Sequence, residues 1–254
     1  MTVVVAHKWA VNPQEAVVAA DGSIDVSRAK PAVSEYDPVA IEVGRRLADL
    51  LGCELVGISV GGPEITSPMA RKAALSRGLD RLVVIADESL SGAGASVTAT
   101  ALAQAVRAVE DVTVVLTGDS SVDEGARMVP SVLAGLLGWP TLAEVAAVSV
   151  TDDALTVERA HGAGSQVVRV AGPAVLSVAA DAAVPRVAGM KDILAAGKKP
   201  VDVLALSGPL PPAPTVVARS RIELAQRAGT RIDATDPHAA ATTLVAALRA
   251  DGVL

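Results

Sequence analysis

Four valine-rich runs, at 3–6, 53–60, 82–86 and 113–117, recur along the first half of the chain, separated by stretches whose apolar residues fall three and four apart. Short apolar runs without polar alternation fit strands covered on both faces, and the intervening spacing fits helices with one apolar side. Their alternation through short connections predicts a doubly wound, mostly parallel α/β sheet. Composition narrows the choice further. Hydrophobic residues make up 51% of the chain but aromatics only 1%, with no Phe and just Tyr36, Trp9 and Trp139. The core must be built from Val, Ala and Leu, which suits parallel strands with small-residue helices packed against them.

The helix boundaries are marked. In "DPVAIEVGRRLADLLG" Asp37 stands where a cap belongs and Pro38 stands at the first helical position, where a missing N–H costs nothing. "TSPMARKAALSRG" starts the same way with Ser67 and Pro68, and "SVTATALAQAVRAVE" and "VPSVLAGLLG" supply two more helices. After Trp139 and Pro140 the rhythm changes to four short β runs, "LAEVAAVSV", "ALTVERA", "SQVVRVAG" and "AVLSVAA", which read as an antiparallel meander extending the sheet. "GMKDILAAGKKP" follows as a short helix. The expected domain spans 1–206, and 207–254 forms a proline-rich extended arm, "SGPLPPAPTVV", with a C-terminal helix capped by Asp236. Arm and helix have two readings of equal weight: packing back on the same domain, or embracing another subunit.

The formal net charge is −6, from 22 Lys and Arg against 28 Asp and Glu, and no basic stripe is present. With almost nothing to stack a base on, nucleic-acid binding is not expected. The single Cys53 cannot form an internal disulfide and is expected to be buried and inert. "MTVVVAHKWAV" has no long apolar leader region, and no membrane-spanning run occurs, so a soluble cytoplasmic protein is expected.

Catalytic signatures are missing. His7, His161 and His238 are too far apart in sequence for a chelating motif. No G-x-S-x-G elbow, G-x-G-x-x-G turn or Walker loop occurs. The chain therefore reads as a carrier or binding protein rather than an enzyme. Loops "SEYD" (34–37), "SVGGPE" (59–64) and "TGDSSVDEG" (117–125) instead follow successive strands. In a doubly wound sheet they would converge on one crevice, where backbone N–H groups and helix ends can hold a phosphate. On its own, "GDSSVDEGARMVPS" (118–131) fits equally a phosphate cradle or an ordinary turn before a capped helix.

The wording "YDPVAIEVGRRL", "ISVGG", "RKAALSRGLDRLVVI", "LLGWP", "LTVER" and above all "PRVAGMKDILAAGKKPVDV" resembles the β subunit of electron transfer flavoproteins, most closely the FixA-like branch. The match runs in order from about residue 2 to 206, with a weaker echo in the tail. It implies the adenine nucleotide alpha hydrolase-like form of the doubly wound fold. It also implies an α-subunit partner holding most of a redox-active FAD, and AMP or a second FAD in the chain's own crevice. Electrons would come from an acyl-CoA dehydrogenase or another flavin-linked dehydrogenase. Carried over by position, the nucleotide site takes Ala6, Ser34, Val60, Gly118, Ser120, Ser121, Asp123, Arg127 and Ser131, with Arg127 the expected phosphate contact. Dehydrogenase docking takes 185–194, through Pro185, Arg186, Met190, Lys191, Ile193 and Leu194, with Lys191, Lys198 and Lys199 steering an acidic partner. On the plainer reading, Met190 and Ile193 are the inward face of a short helix. The family's usual Asn-Gln-Thr-Gly-Gln loop reads Arg127, Met128, Val129, Pro130, Ser131 here, and Pro13 replaces an aromatic that leans towards the flavin. Two other classes remain: a single-subunit adenine-nucleotide-binding regulator, and a nucleotide-free scaffold paralogue.

Overall fold

The structure, a computed structural model, describes residues 1–19, 23–151, 154–212, 215, 217–218 and 229–254. It falls into two units, 1–214 and 215–254. In the first, β1 (Thr2–Ala6) is followed by β2 (Trp9–Val11), β3 (Val17–Val18), β4 (Ile24–Asp25) and β5 (Pro31–Val33). These short strands form two antiparallel ribbons, β2 with β5 and β3 with β4, neither of which the sequence pattern announces. The alternating part then runs α1 (Asp37–Leu51), β6 (Glu54–Gly61), α2 (Pro68–Leu75), β7 (Arg81–Ala86), α3 (Ala95–Arg107), β8 (Val112–Gly118), α4 (Val129–Leu137) and β9 (Thr141–Thr151). It closes with β10 (Ala154–His161), β11 (Gly164–Val170), β12 (Ala174–Val178), α5 (Met190–Ala196) and β13 (Val201–Leu204). The second unit contains α6 (Pro237–Ala250), whose first N–H groups at His238 and Ala239 donate to the Asp236 carboxylate.

Nine strands form one sheet in the order β11-β10-β9-β12-β8-β1-β6-β7-β13, parallel except where β10 meets β9 and β11. The fold is thus the doubly wound α/β sheet expected. Along β1 the residues divide strictly by face. Val3 and Val5 join the core under α1 and α2, and Val4 and Ala6 join the core under α3 and α4. Both cores consist of Val, Leu, Ile and Ala, as the lack of aromatics requires. Ile41 and Leu47 of α1 are essentially fully buried, each worth about 1.5–3 kcal/mol of transfer free energy. Gly44 lets that helix lie close, since a Cβ there would come within 2.7 Å of Val5 Cγ2.

The last of the four β runs does not continue the expected meander. β9, β10 and β11 are antiparallel, but the fourth run enters as β12, parallel, between β8 and β9. All five of its residues are buried, and it has no polar alternation to give it a solvent face, so it belongs inside a covered sheet. Cys53 is free and only partly buried, and burial raises its thiol pKa. Among the described residues no helix is long and apolar enough to cross a membrane.

Candidate functional site

From β1 the chain steps outward to β6 and β7, then returns to place β8 on the other side of β1. The loops leaving β1 and β8 therefore diverge, and a crevice opens at the carboxyl ends of these two strands. Its volume is about 550 Å³, within the range of small-ligand sites. Ala6, Val60, Gly118, Ser120, Ser121, Asp123 and Arg127 all line it. Ser34 and Ser131 do not. Ser34 is buried behind the loop and its hydroxyl accepts the Val122 N–H at 3.1 Å, while Ser131 is exposed in the first turn of α4.

Asp37 is the first residue of α1, yet it is not the cap that its position suggests. The α1 cap position belongs to Tyr36 and has no side-chain bond. The Asp37 carboxylate instead accepts the Lys8 N–H at 2.7 Å and a bond from the Gly118 backbone, so it ties the ends of β1 and β8 together. Burial pushes its pKa up to about 7, against the pull of those two N–H groups and the Lys8 ammonium. Gly118 is required here, because a Cβ would come within 2.6 Å of Asp37 Oδ1. His7, whose ring lies near Gly57 of β6, is 9% exposed, its Nδ1 has no partner, and burial lowers its pKa to about 4. Both groups are held uncharged by burial across much of the mildly acidic range.

The family model for the electron transfer flavoprotein domain matches residues 22–209. The chain belongs to the electron transfer flavoprotein family. In this electron transfer flavoprotein domain the two cations that line the crevice among the described residues are already engaged. Lys8 Nζ lies 2.7 Å from Asp123, and Arg127 reaches Asp119 at 3.0 Å and Glu144 at 3.4 Å. Burial works to raise the Asp123 pKa, but Lys8 and the Ser121 hydroxyl outweigh it and hold Asp123 below the usual carboxylate value. Arg127 stands out in the sequence, whereas its partner Glu144 and the crevice residues His7 and Lys8 do not. For His7 and Lys8 a signal existed: they are the first residues beyond the end of β1.

The segment 184–194 lies elsewhere on this flavoprotein domain. Val187 is 94% exposed and Met190 74%, and Val184, Ile193 and Leu194 are exposed as well. The inward-face alternative for Met190 and Ile193 therefore does not hold; the buried residue of α5 is Ala196. Arg186 points the other way, into the domain. Its Nε and a terminal nitrogen donate to the two Glu42 oxygens at 2.7 and 3.3 Å. Chiefly through that bond, Arg186 lowers the Glu42 pKa. Lys199 is also turned inward and donates to the Leu75 carbonyl at the end of α2 and to the Leu79 carbonyl in the turn beyond it, so it is not free to steer a partner.

Proposed function

We propose that this chain is the β subunit of a heterodimeric electron transfer flavoprotein, an electron carrier without active-site chemistry of its own. It would accept electrons from an acyl-CoA or other flavin-linked dehydrogenase through FAD shared with an α subunit. The observation that carries this reading is the family match over residues 22–209 on a fold with its crevice at the switch point.

The crevice residues fit an adenine nucleotide, AMP or the adenylate part of a second FAD. Small residues at the ends of β1 and β6, Ala6 and Gly61, leave room for a flat base. Ser120, Ser121 and Arg127 would hold the phosphate, with Arg127 exchanging a carboxylate for it; Ser34 would act by holding the loop. FAD supplies the redox chemistry when bound. The apolar segment Val184, Val187, Met190 and Leu194, fixed from behind by Arg186, supports dehydrogenase docking, because a few apolar anchors commonly dominate such contacts. The arm and α6, 207–254, would pack on the α subunit.

The test is purification with the α subunit, followed by mass spectrometry of the released small molecules. Flavin in the pair, with AMP or additional FAD assigned to this chain, is the expected result. A pair that stays colourless after FAD is supplied would sink the reading.

A further inference from the structure

We propose that Trp9 is the ring-stacking residue of the crevice, and that the compartment beside it takes a planar heteroaromatic ring, purine or isoalloxazine. The inference rests on the nucleotide reading of this crevice and adds how the ligand is gripped and oriented. Of the three aromatic residues in the chain, Trp9 alone lines the cavity. Its backbone is held by ladder pairing with Val33, and its side chain packs against the core on the α1 side. An indole held that way loses little freedom when a ligand arrives. The segment that carries Trp9 and the one that follows add apolar residues to the cavity lining, Val11, Pro13, Ala16, Val18 and Val26. These side chains offer no hydrogen bonds to a ring edge, so recognition there depends on shape and stacking.

The charges lead to the same assignment. Among the described residues, five carboxylates line the cavity against two cations, Lys8 and Arg127. Both cations already pair with carboxylates, at 2.7 and 3.0 Å. The Lys8 N–H, an amide at the end of β1, is taken by Asp37. A phosphate must compete for every one of these groups, so its attraction alone is weak and the ring carries a large share of the affinity. The Ser120 and Ser121 hydroxyls, bonded only within their own segment, lie on the loop after β8. A ligand would therefore lie with one ring beside Trp9 and its charged part towards that loop.

The experiment uses the full chain, stripped of bound small molecules, with Trp139→Phe leaving Trp9 as the single tryptophan. AMP, riboflavin 5′-phosphate and ribose 5-phosphate are titrated while its emission is followed. At least one of the two ring-bearing ligands is expected to quench Trp9 to saturation, and the one that does names the ring; ribose 5-phosphate is expected to leave the emission unchanged. Equilibrium dialysis should show Trp9→Leu binding that ligand about tenfold more weakly, with Trp9→Phe recovering most of the loss. If Trp9→Leu does not fold, the quenching titration decides alone. Equal affinity in the Trp9→Leu variant, or equal quenching by ribose 5-phosphate, overturns the stacking role and leaves the nucleotide reading standing. Absence of binding by both ring ligands overturns the two together.

Discussion

Arg127 and Glu144 meet at 3.4 Å, and both hold left-handed backbone conformations, with φ of 53° and 56°. Neither is a glycine, so each stores strain of order 1–3 kcal/mol. Glu144 lies where the pairing of β9 with β12 shifts by one residue, a bulge that re-aims its side chain. The pair brings the loop after β8 to the start of β9 at the mouth of the crevice. Strained positions of this kind concentrate at ligand sites, which makes Arg127 the first residue to test.

Arg127→Ala is expected to lower nucleotide affinity by about 1.5–3 kcal/mol, the loss of one charge-assisted contact. It also leaves Asp119, which is buried, without its ion-pair partner. The nucleotide released from purified variant and parent, measured by mass spectrometry, checks this; stoichiometric ligand in the variant would remove Arg127 from the site.

His7 and Asp37 shift in opposite directions, with a consequence for the pH dependence of stability. Asp37 is raised from 3.8 to about 7, so between those values the folded state holds a proton that the unfolded chain has lost, and stability falls as pH rises. His7 is lowered from 6.5 to about 4, so in that window the unfolded chain holds the extra proton, and stability rises with pH. The two slopes oppose each other over most of the same range. Asp37→Asn should therefore unmask a protein that gains stability from about pH 4 to 6.5, and His7→Gln one that loses stability towards neutrality. Denaturant titrations at a series of pH values read both slopes, and identical profiles in parent and variants would refute the assignment.

Met190→Ala should slow reduction of the reconstituted heterodimer by its dehydrogenase several-fold, with flavin content unchanged, as expected for the loss of one exposed anchor. Arg186→Ala should act on the same step through the geometry of the segment. Because the Arg186 side chain is 43% exposed, the stability cost should stay near 1 kcal/mol. Faster hydrogen exchange at the Ile193 N–H, which donates to the Gly189 carbonyl, is the accompanying sign. Flavin loss in either variant would show that the segment supports the core instead.

Gly44→Ala should destabilise the domain by about 1–3 kcal/mol, although alanine is the better helix former. The new methyl meets Val5 Cγ2 at 2.7 Å and Leu55 Cδ1 at 3.0 Å, and the branched Val5 on a buried strand has nowhere to turn. Thermal unfolding measures this, and an unchanged midpoint would mean that α1 can lift away from the sheet.

What could be read from the sequence was what local chemistry decides. The strand runs, the Ser67 and Asp236 caps and the strand-end loops all appear where the pattern put them. The place of β12 could not be read, because a buried apolar run fits any interior slot and its slot is set by pairing with β8, more than fifty residues earlier. Asp37 was read as a cap because the position is right, but its partner is the Lys8 N–H, 29 residues upstream. Arg127 was visible as a lone cation in an acidic loop; Glu144 was not, since nothing in its sequence surroundings announces a bulge.

The sheet order also sets the order in which the chain becomes safe. The block β8-β1-β6-β7 is complete once residue 118 is made, but its two outer strands then carry unpaired backbone groups. β8 is covered only by β12, from residue 174, and β7 only by β13, from residue 201. For more than fifty residues of synthesis the nascent domain is a sticky ribbon with two open sides, the state from which strands of neighbouring chains pair wrongly. Any shortened form ending before residue 174 would keep both sides open for good.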